Sequence, residues 1–366
     1  MLRIRDIINF LETLAPLTLQ ESYDNSGLVC GDTEQICSGA TIALDLTEKV
    51  IEETVARKHN IIIVHHPPIF SPIRRIVQGD AVSDLLIKAI RHDITIYACH
   101  TNLDNVLWGV NGEIADRIGL ISRQVLHPKS DTHKKIITYV PSLHLDEVRD
   151  ALFSAGGGKL GEYEECSFNM TGSGNFKPLA NATPYSGEKG KRHTAEEVRL
   201  EVIFPAHLQI SIINTLLINH PYEVPAYEIL SLDNQFQEFG GGVIGELPTE
   251  KSEVEILSIL KSTFKTGVIR HSPLTNSPIK TVALCGGAGK SMIYNALRMK
   301  ADVFITADLG YHDFFSPSGK MLLADIGHFE SEQYTSDLLT RLIKEKFPTF
   351  AVLKTGINTN PVNYFL

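Results

Sequence analysis

The 366-residue sequence predicts an α/β protein: two related α/β halves with mostly parallel sheets, plus an inserted α+β domain between them. Three observations predict it. Short apolar runs alternate with helical patterns over the first third, the rhythm of crossover-connected strands. The same rhythm returns near the end of the chain. Between them, from about residue 132 to 232, the texture changes to longer alternating strands, helices and a polar, glycine-containing stretch.

In order, the first half reads as a strand at 41–46, a helix at 47–59, a strand at 61–64, a helix at 80–92, a strand at 94–99 and a helix at 110–118. The middle segment reads as a strand at 135–140 and a helix at 143–154. After a Gly- and Ser-rich stretch it resumes with a strand at 198–204, a helix at 206–219 and a strand at 228–232. Its polar segment, 175–192, is expected to be a loop. Gly240, Gly241 and Gly242 mark the return to the main domain. The second half reads as strands at 279–285, 303–306 and 321–325, a helix at 290–300, and a long helix after Gly327. The expected domains are therefore 1–131 with 233–366, and 132–232.

With 43% hydrophobic and 21% charged residues, the chain has material for two cores. Charges interrupt the first residues before any apolar run develops, and no apolar stretch matches a bilayer's thickness, so neither a secretory leader nor a membrane partner is expected. Five cysteines at 30, 37, 99, 166 and 285 show no paired spacing, which fits a reducing, cytoplasmic location. A net charge of −9 argues against nucleic acid, whose affinity comes from lysine and arginine displacing counterions.

Fourteen histidines are numerous, and two are adjacent. His65 and His66 follow four β-branched residues and precede Pro67 and Pro68, which end the strand. Strand neighbours point to opposite faces, so both rings serve one site only where the backbone leaves the sheet. Metal binding, catalysis and a plain polar strand end are all open for this pair. His100 and Asp104 follow the next strand, and Asp104 is equally suited to capping a helix. His328 and Glu332 are one helical turn apart, a spacing shared by metal ligands and by ordinary surface pairs.

Their common position separates these readings. All three groups follow apolar strands, so a parallel sheet brings them to its carboxyl edge, where α/β folds place their sites. Three histidines and two carboxylates exceed the three protein ligands of a usual catalytic zinc, so two metal ions fit better. Nitrogen and oxygen ligands without cysteine suit zinc, manganese, iron or nickel alike. Asp308 and His312, after another strand, are candidates for a general acid or base, for partners that orient the ligands, or for helix caps. The run Gly286 to Ser291 ends like a phosphate-binding loop but has Leu284 where that pattern requires glycine. It is expected to be a tight strand-to-helix turn whose amides can hold an anion.

His65-His66-Pro67-Pro68, the segment His100 to Asp104, Gly327-His328 with Glu332, and the early segment Glu21 to Leu28 together resemble the Nif-three-like, or YbgI-type, family. Tyr23 stands where that family usually shows tryptophan. The resemblance implies two divalent metal ions per subunit on His65, His66, Asp104, His328 and Glu332, with His100 close by. It also implies a homo-hexamer, and a PII/CutA-like fold for residues 132–232. Bacterial members carry the name GTP cyclohydrolase 1 type 2 homologue. The resemblance thus implies a metal-dependent hydrolase for a nucleotide-like substrate, or a related phosphoester hydrolase, and His100 and His312 are the candidates for the acid that serves the leaving group. The alternative is a non-enzymatic, metal-binding regulatory scaffold.

Overall fold

Ile61–Val64 is buried at every position, as a strand covered on both faces must be. In the computed structural model, which describes residues 1–365, it is the centre of a five-stranded sheet. The order is Gly27–Cys30, Thr95–Ala98, Ile61–Val64, Ala40–Ala43, Val352–Lys354. All neighbours pair in parallel except Gly27–Cys30 with Thr95–Ala98. The helices Glu48–Ala56 and Ala81–Arg91 form the crossovers, each started by a side chain that accepts a backbone N–H, Thr47 and Asp80 respectively.

A second, six-stranded sheet has the order Arg270–His271, Leu322–Asp325, Val303–Thr306, Ile279–Leu284, Gly240–Lys251, Ile121–Pro128. Its three middle strands from Leu322–Asp325 to Ile279–Leu284 are parallel. Gly240–Lys251 pairs antiparallel with both of its neighbours. Strand alternation decides which core each side chain joins. Ile61 and Ile63 share one core with Val282, Leu284, Val303 and Ile305 of the second sheet. Ile62 and Val64 face the crossover helices, in a second core with Val50, Ile51 and Leu86. Apolar residues of helices Ile4–Leu14, Val110–Arg117, Glu253–Phe264 and Thr335–Lys346 complete the shared core.

In the second half, two helices depart from the sequence expectation. The helix expected at 290–300 opens as a 3₁₀ turn, Lys290–Met292, before Ile293–Arg298. The long helix after Gly327 is broken into His328–Glu332 and Thr335–Lys346. At the break the Gln333 side chain donates to the Phe264 carbonyl at 2.8 Å, and the Tyr334 hydroxyl donates to the Thr263 carbonyl at 2.7 Å. Those bonds satisfy carbonyls at the carboxyl end of the helix Glu253–Phe264.

Contacts divide the chain into two units, residues 1–128 with 237 onward, and Lys129–Phe236. The second unit is a four-stranded antiparallel sheet in the order Ser167–Phe176, His193–Pro205, His133–Pro141, Tyr227–Ser231. Helices Leu145–Ser154 and Gln209–Asn219 bury Val148, Leu152, Ile212 and Leu216 against Ile136, Val140, Leu200 and Val202 of the sheet. This βαββαβ order is the ferredoxin-like arrangement. Its strand Ser167–Phe176 lies in the Gly- and Ser-rich stretch to which the sequence assigns no element, and only its last two residues enter the expected loop 175–192.

Among the described residues, no helix is long and apolar enough to cross a membrane.

Candidate metal centre

The carboxyl ends of both parallel sheets deliver side chains to one cleft of about 1010 Å³ in the first unit. Asp45 follows Ala40–Ala43, His65 and His66 follow Ile61–Val64, and His100 follows Thr95–Ala98. From the second sheet, Asp308 follows Val303–Thr306 and His328 follows Leu322–Asp325. Beyond Val64 the chain leaves the sheet ahead of the two prolines, and the rings of His65 and His66 lie 4.9 Å apart between centroids. Asp104 ends the short helix Thr101–Asp104, and the next helix is preceded by Gly109, so Asp104 caps neither helix start.

Four imidazoles here share one arrangement. Each Nδ1 donates to an oxygen at 2.7 Å: His65 to the Cys99 carbonyl, His66 to Asp45, His100 to Asp24 and His328 to Asp308. With Nδ1 committed to its oxygen, each Nε2 is the nitrogen left for the cleft, and a metal ion bound there would displace any proton it carries. The orienting carboxylates are themselves held, Asp45 by the Thr359 hydroxyl at 2.7 Å and Asp24 by the Ser26 hydroxyl at 2.7 Å.

The ring nitrogens converge on two carboxylates. His66 Nε2 lies 3.0 Å and His328 Nε2 3.1 Å from Glu332 Oε2, and the two nitrogens are 3.3 Å apart. His65 Nε2 is 3.7 Å from Asp104 Oδ1 and 3.8 Å from Glu332 Oε1. His65, His66 and His100 form one group of donor atoms close enough to hold a cation, and His66, His328 and Glu332 form another. His66 belongs to both.

Two buried atoms test whether a cation fits. His65 Nε2 and Asp104 Oδ1 find no hydrogen-bond partner among the described residues. Such groups carry a full desolvation cost unless something else satisfies them, and adjacent lone-pair donors suit a metal ion. The set of imidazole nitrogens and carboxylate oxygens, without thiolate, suits a divalent transition metal.

Protonation follows the same crowding. Burial opposes charge on His66, but hydrogen bonds to Asp45 and Glu332 outweigh it and raise its pKa to about 10. Burial likewise opposes charge on His328, and Glu332 and Asp308 raise it to about 9. Burial next to the Glu332 charge pushes Asp104 well above the usual carboxylate range, whereas the His328 and His66 contacts, with the His65 ring close by, overcome burial and hold Glu332 well below it. Burial lowers the pKa of His65. Protons thus supply the positive charge that this donor set demands.

Glycine explains how Glu332 reaches the centre. Gly287 has φ +60°, and a Cβ there would lie 2.2 Å from Glu332 Oε1. The turn 286–291 is therefore open for a carboxylate as well as for chain reversal.

The structure brings His65, His66, His100, Asp104, His328 and Glu332 together at the cleft, but not His312. That residue is exposed in the 3₁₀ turn Tyr311–Phe315, edge-on to Tyr311 at 5.2 Å, and is not among the residues lining the cleft. Asp308 takes the orienting position. Asp45 went unread in the sequence because the strand was extended over it, to residue 46, whereas the strand stops at Ala43. An acidic residue just past a strand, at the sheet edge that carries the histidines, is the signal that identifies it.

A fold of two parallel-centred α/β sheets with a histidine- and carboxylate-lined cleft at their carboxyl edges defines the class. The Duf34/NIF3 (NGG1p interacting factor 3) family model matches residues 2–361, and the chain belongs to that family. It is 34% identical over 367 residues to the "GTP cyclohydrolase 1 type 2 homolog" of Bacillus subtilis (strain 168), with 98% of each chain covered. The protein of that name from Listeria monocytogenes is 37% identical over 326 residues, covering 87% of this chain and 86% of its own. Among solved structures, a Bacillus cereus protein related to NIF3 superposes with a TM-score of 0.86 at 32% identity, covering 100% of this chain and 99% of that one.

Proposed function

We propose that the cleft holds two divalent metal ions and that the protein is a metal-dependent hydrolase of a nucleotide-like substrate. The observation that carries this reading is the set of three imidazoles, those of His65, His66 and His328, whose Nδ1 atoms are each bound to an oxygen at 2.7 Å, so that their Nε2 atoms are left for cations. His65, His66, Asp104, His328 and Glu332 would hold the ions. Bound there, the metals would supply an activated water and an electrophile for the substrate's developing charge.

The chain's own residues do the rest. Glu332 and Asp104 balance the cationic charge, and Asp45 and Asp308 fix the His66 and His328 rings so that little reorganisation is needed. In this reading His100 passes a proton to a leaving nitrogen or oxygen. Its Nδ1–H is anchored on Asp24, whose carboxyl is pushed up by burial but held well below the usual range by bonds from His100, Thr101 and Ser26. Asp24 thereby fixes the orientation of the His100 ring, as a triad carboxylate does for its histidine. The shared name of the curated relatives makes GTP the first substrate to try. The homo-hexamer and the PII/CutA-like character of residues 132–232 belong to this reading through the family resemblance, and the mass of the full chain in solution measures the former.

The experiment is formate release from GTP, alongside phosphate release from nucleotides, by the metal-loaded full-length protein and by Asp104→Ala. The reading expects turnover in the wild type and a loss of at least about 100-fold in the variant. Absence of both products, with metal bound, would favour the scaffold alternative.

A further inference from the structure

The second unit contains a cavity that the metal chemistry does not use. It measures about 580 Å³ and is formed entirely by residues of that unit, within the volume range of small-molecule sites. Strand pairing shows how the sequence makes it. On Ser167–Phe176, Met170 lies opposite Arg199, Gly172 opposite Glu197 and Gly174 opposite Ala195. Alternate residues of His193–Pro205, among them Leu200 and Val202, pack under the helices, so Glu197 and Arg199 occupy the other face of the sheet.

Glycine inside a strand weakens it, and is retained where a turn requires it or where something must approach closely. Neither Gly172 nor Gly174 has a positive φ, so backbone conformation does not require them. Space does. A Cβ at Gly172 would meet nothing within 4 Å, and one at Gly174 would lie 2.0 Å from Glu197 Oε2. The two glycines hollow out the sheet face beside a buried carboxylate.

That carboxylate is Glu197, only 8% exposed. The Tyr222 hydroxyl donates to its Oε1 at 2.7 Å. Burial, then the Glu197 contact, raises the Tyr222 pKa, which keeps the phenol protonated as that donor. Two residues along the same strand face, Arg199 bonds Glu201 through Nη2 at 3.0 Å, while its buried Nε finds no acceptor among the described residues. The remaining walls include Tyr139, Phe176, Tyr185 and Tyr222, with the last two rings 5.8 Å apart.

We propose that this cavity is a binding site for a flat nitrogen heterocycle that presents adjacent N–H donors beside a ring carbonyl, the edge shared by guanine and the pterins. Glu197 accepts from the N–H groups, as a carboxylate facing paired donors does. The Arg199 guanidinium, part of the cavity wall, donates to the ring carbonyl. The tyrosines and Phe176 supply apolar and π surface for the ring. Adenine presents an amino group beside a bare ring nitrogen and leaves both Glu197 and Arg199 poorly matched, a penalty that makes such sites selective.

The test is equilibrium dialysis of the full-length, chelator-treated protein with guanosine, 6-methylpterin and adenosine at concentrations up to about 1 mM. Gly172→Val fills the hollow, and a β-branched residue suits a strand position with open space and unstrained φ. Glu197→Gln keeps the side-chain volume but replaces one acceptor oxygen with a donor. We expect guanosine or the pterin to bind, the better of the two naming the source, at least about 10-fold more tightly than adenosine. Both substitutions should weaken that binding by at least about 10-fold, with melting temperature preserved in Gly172→Val. The His65→Ala/His328→Ala double variant should bind as the wild type does.

Binding that survives Gly172→Val and Glu197→Gln but is lost in the double variant would place the ligand in the metal cleft, and overturn this proposal while leaving the hydrolase reading intact. Equal affinity for adenosine, or no binding of either heterocycle, would overturn it too. So would a fall in the wild-type oligomer's mass on Gly172→Val, which would make the hollow a seat for a second copy of the chain.

Discussion

Histidines in this chain differ in charge according to what their two nitrogens touch. At the cleft, His66 and His328 each set Nδ1 on a carboxylate and Nε2 near Glu332, and both are held protonated. His220, in the second unit, is built the opposite way. Its Nδ1 accepts from the Tyr222 backbone N–H at 3.1 Å and its Nε2 donates to the Tyr139 carbonyl at 3.0 Å, an arrangement that only the neutral ring can make. Burial, the largest influence, lowers its pKa below 6.5. A folded pKa below the unfolded value means that the stabilisation is complete above about pH 6.5 and is lost as pH falls through the folded pKa. The urea midpoint of the second unit's transition is therefore expected to drop between about pH 7 and about pH 5, and to drop less steeply in His220→Gln. Parallel curves would show that His220 is not the titrating group.

At the scale of elements, legibility followed burial. Residues 61–64 and 303–306 are strands over the bounds their apolar runs indicate, because strands covered on both faces must be continuously apolar. His328 and Glu332 share a face as their spacing requires, although the helix carrying them stops after Glu332. Ser167–Phe176 was illegible for the converse reason: it is an edge strand, mostly exposed, and nothing obliges it to alternate. Asp24 and Asp45 were missed as ring-orienting groups because a partner across the fold leaves no spacing in the sequence.

The helix Glu253–Phe264 begins with a reciprocal cap, in which the Glu255 N–H donates to Ser252 Oγ at 3.3 Å and the Ser252 N–H donates to Glu255 Oε2 at 2.7 Å. Ser252→Ala is expected to lower unfolding free energy by about 1 kcal/mol in urea titrations, with metal content unchanged. A loss of metal would tie this helix to the site through Gln333 and Tyr334, which bond its last turn.

For the molecule as a whole, two sheets bring their carboxyl edges to one cleft, and residues more than 260 positions apart in sequence, such as His66 and Glu332, come within hydrogen-bond distance. Ligands from separate sheets mean that a bound cation would tie the two sheets together, so metal should raise thermal stability as any ligand of the native state does. Elemental analysis of the purified full-length chain, after metal incubation and desalting, beside His65→Ala/His328→Ala, tests the central claim most directly. The account predicts about two equivalents of divalent transition metal per chain in the wild type, lost in the double variant while its circular dichroism stays native. A wild type that retains no metal, or a double variant that retains as much as the wild type, would contradict it.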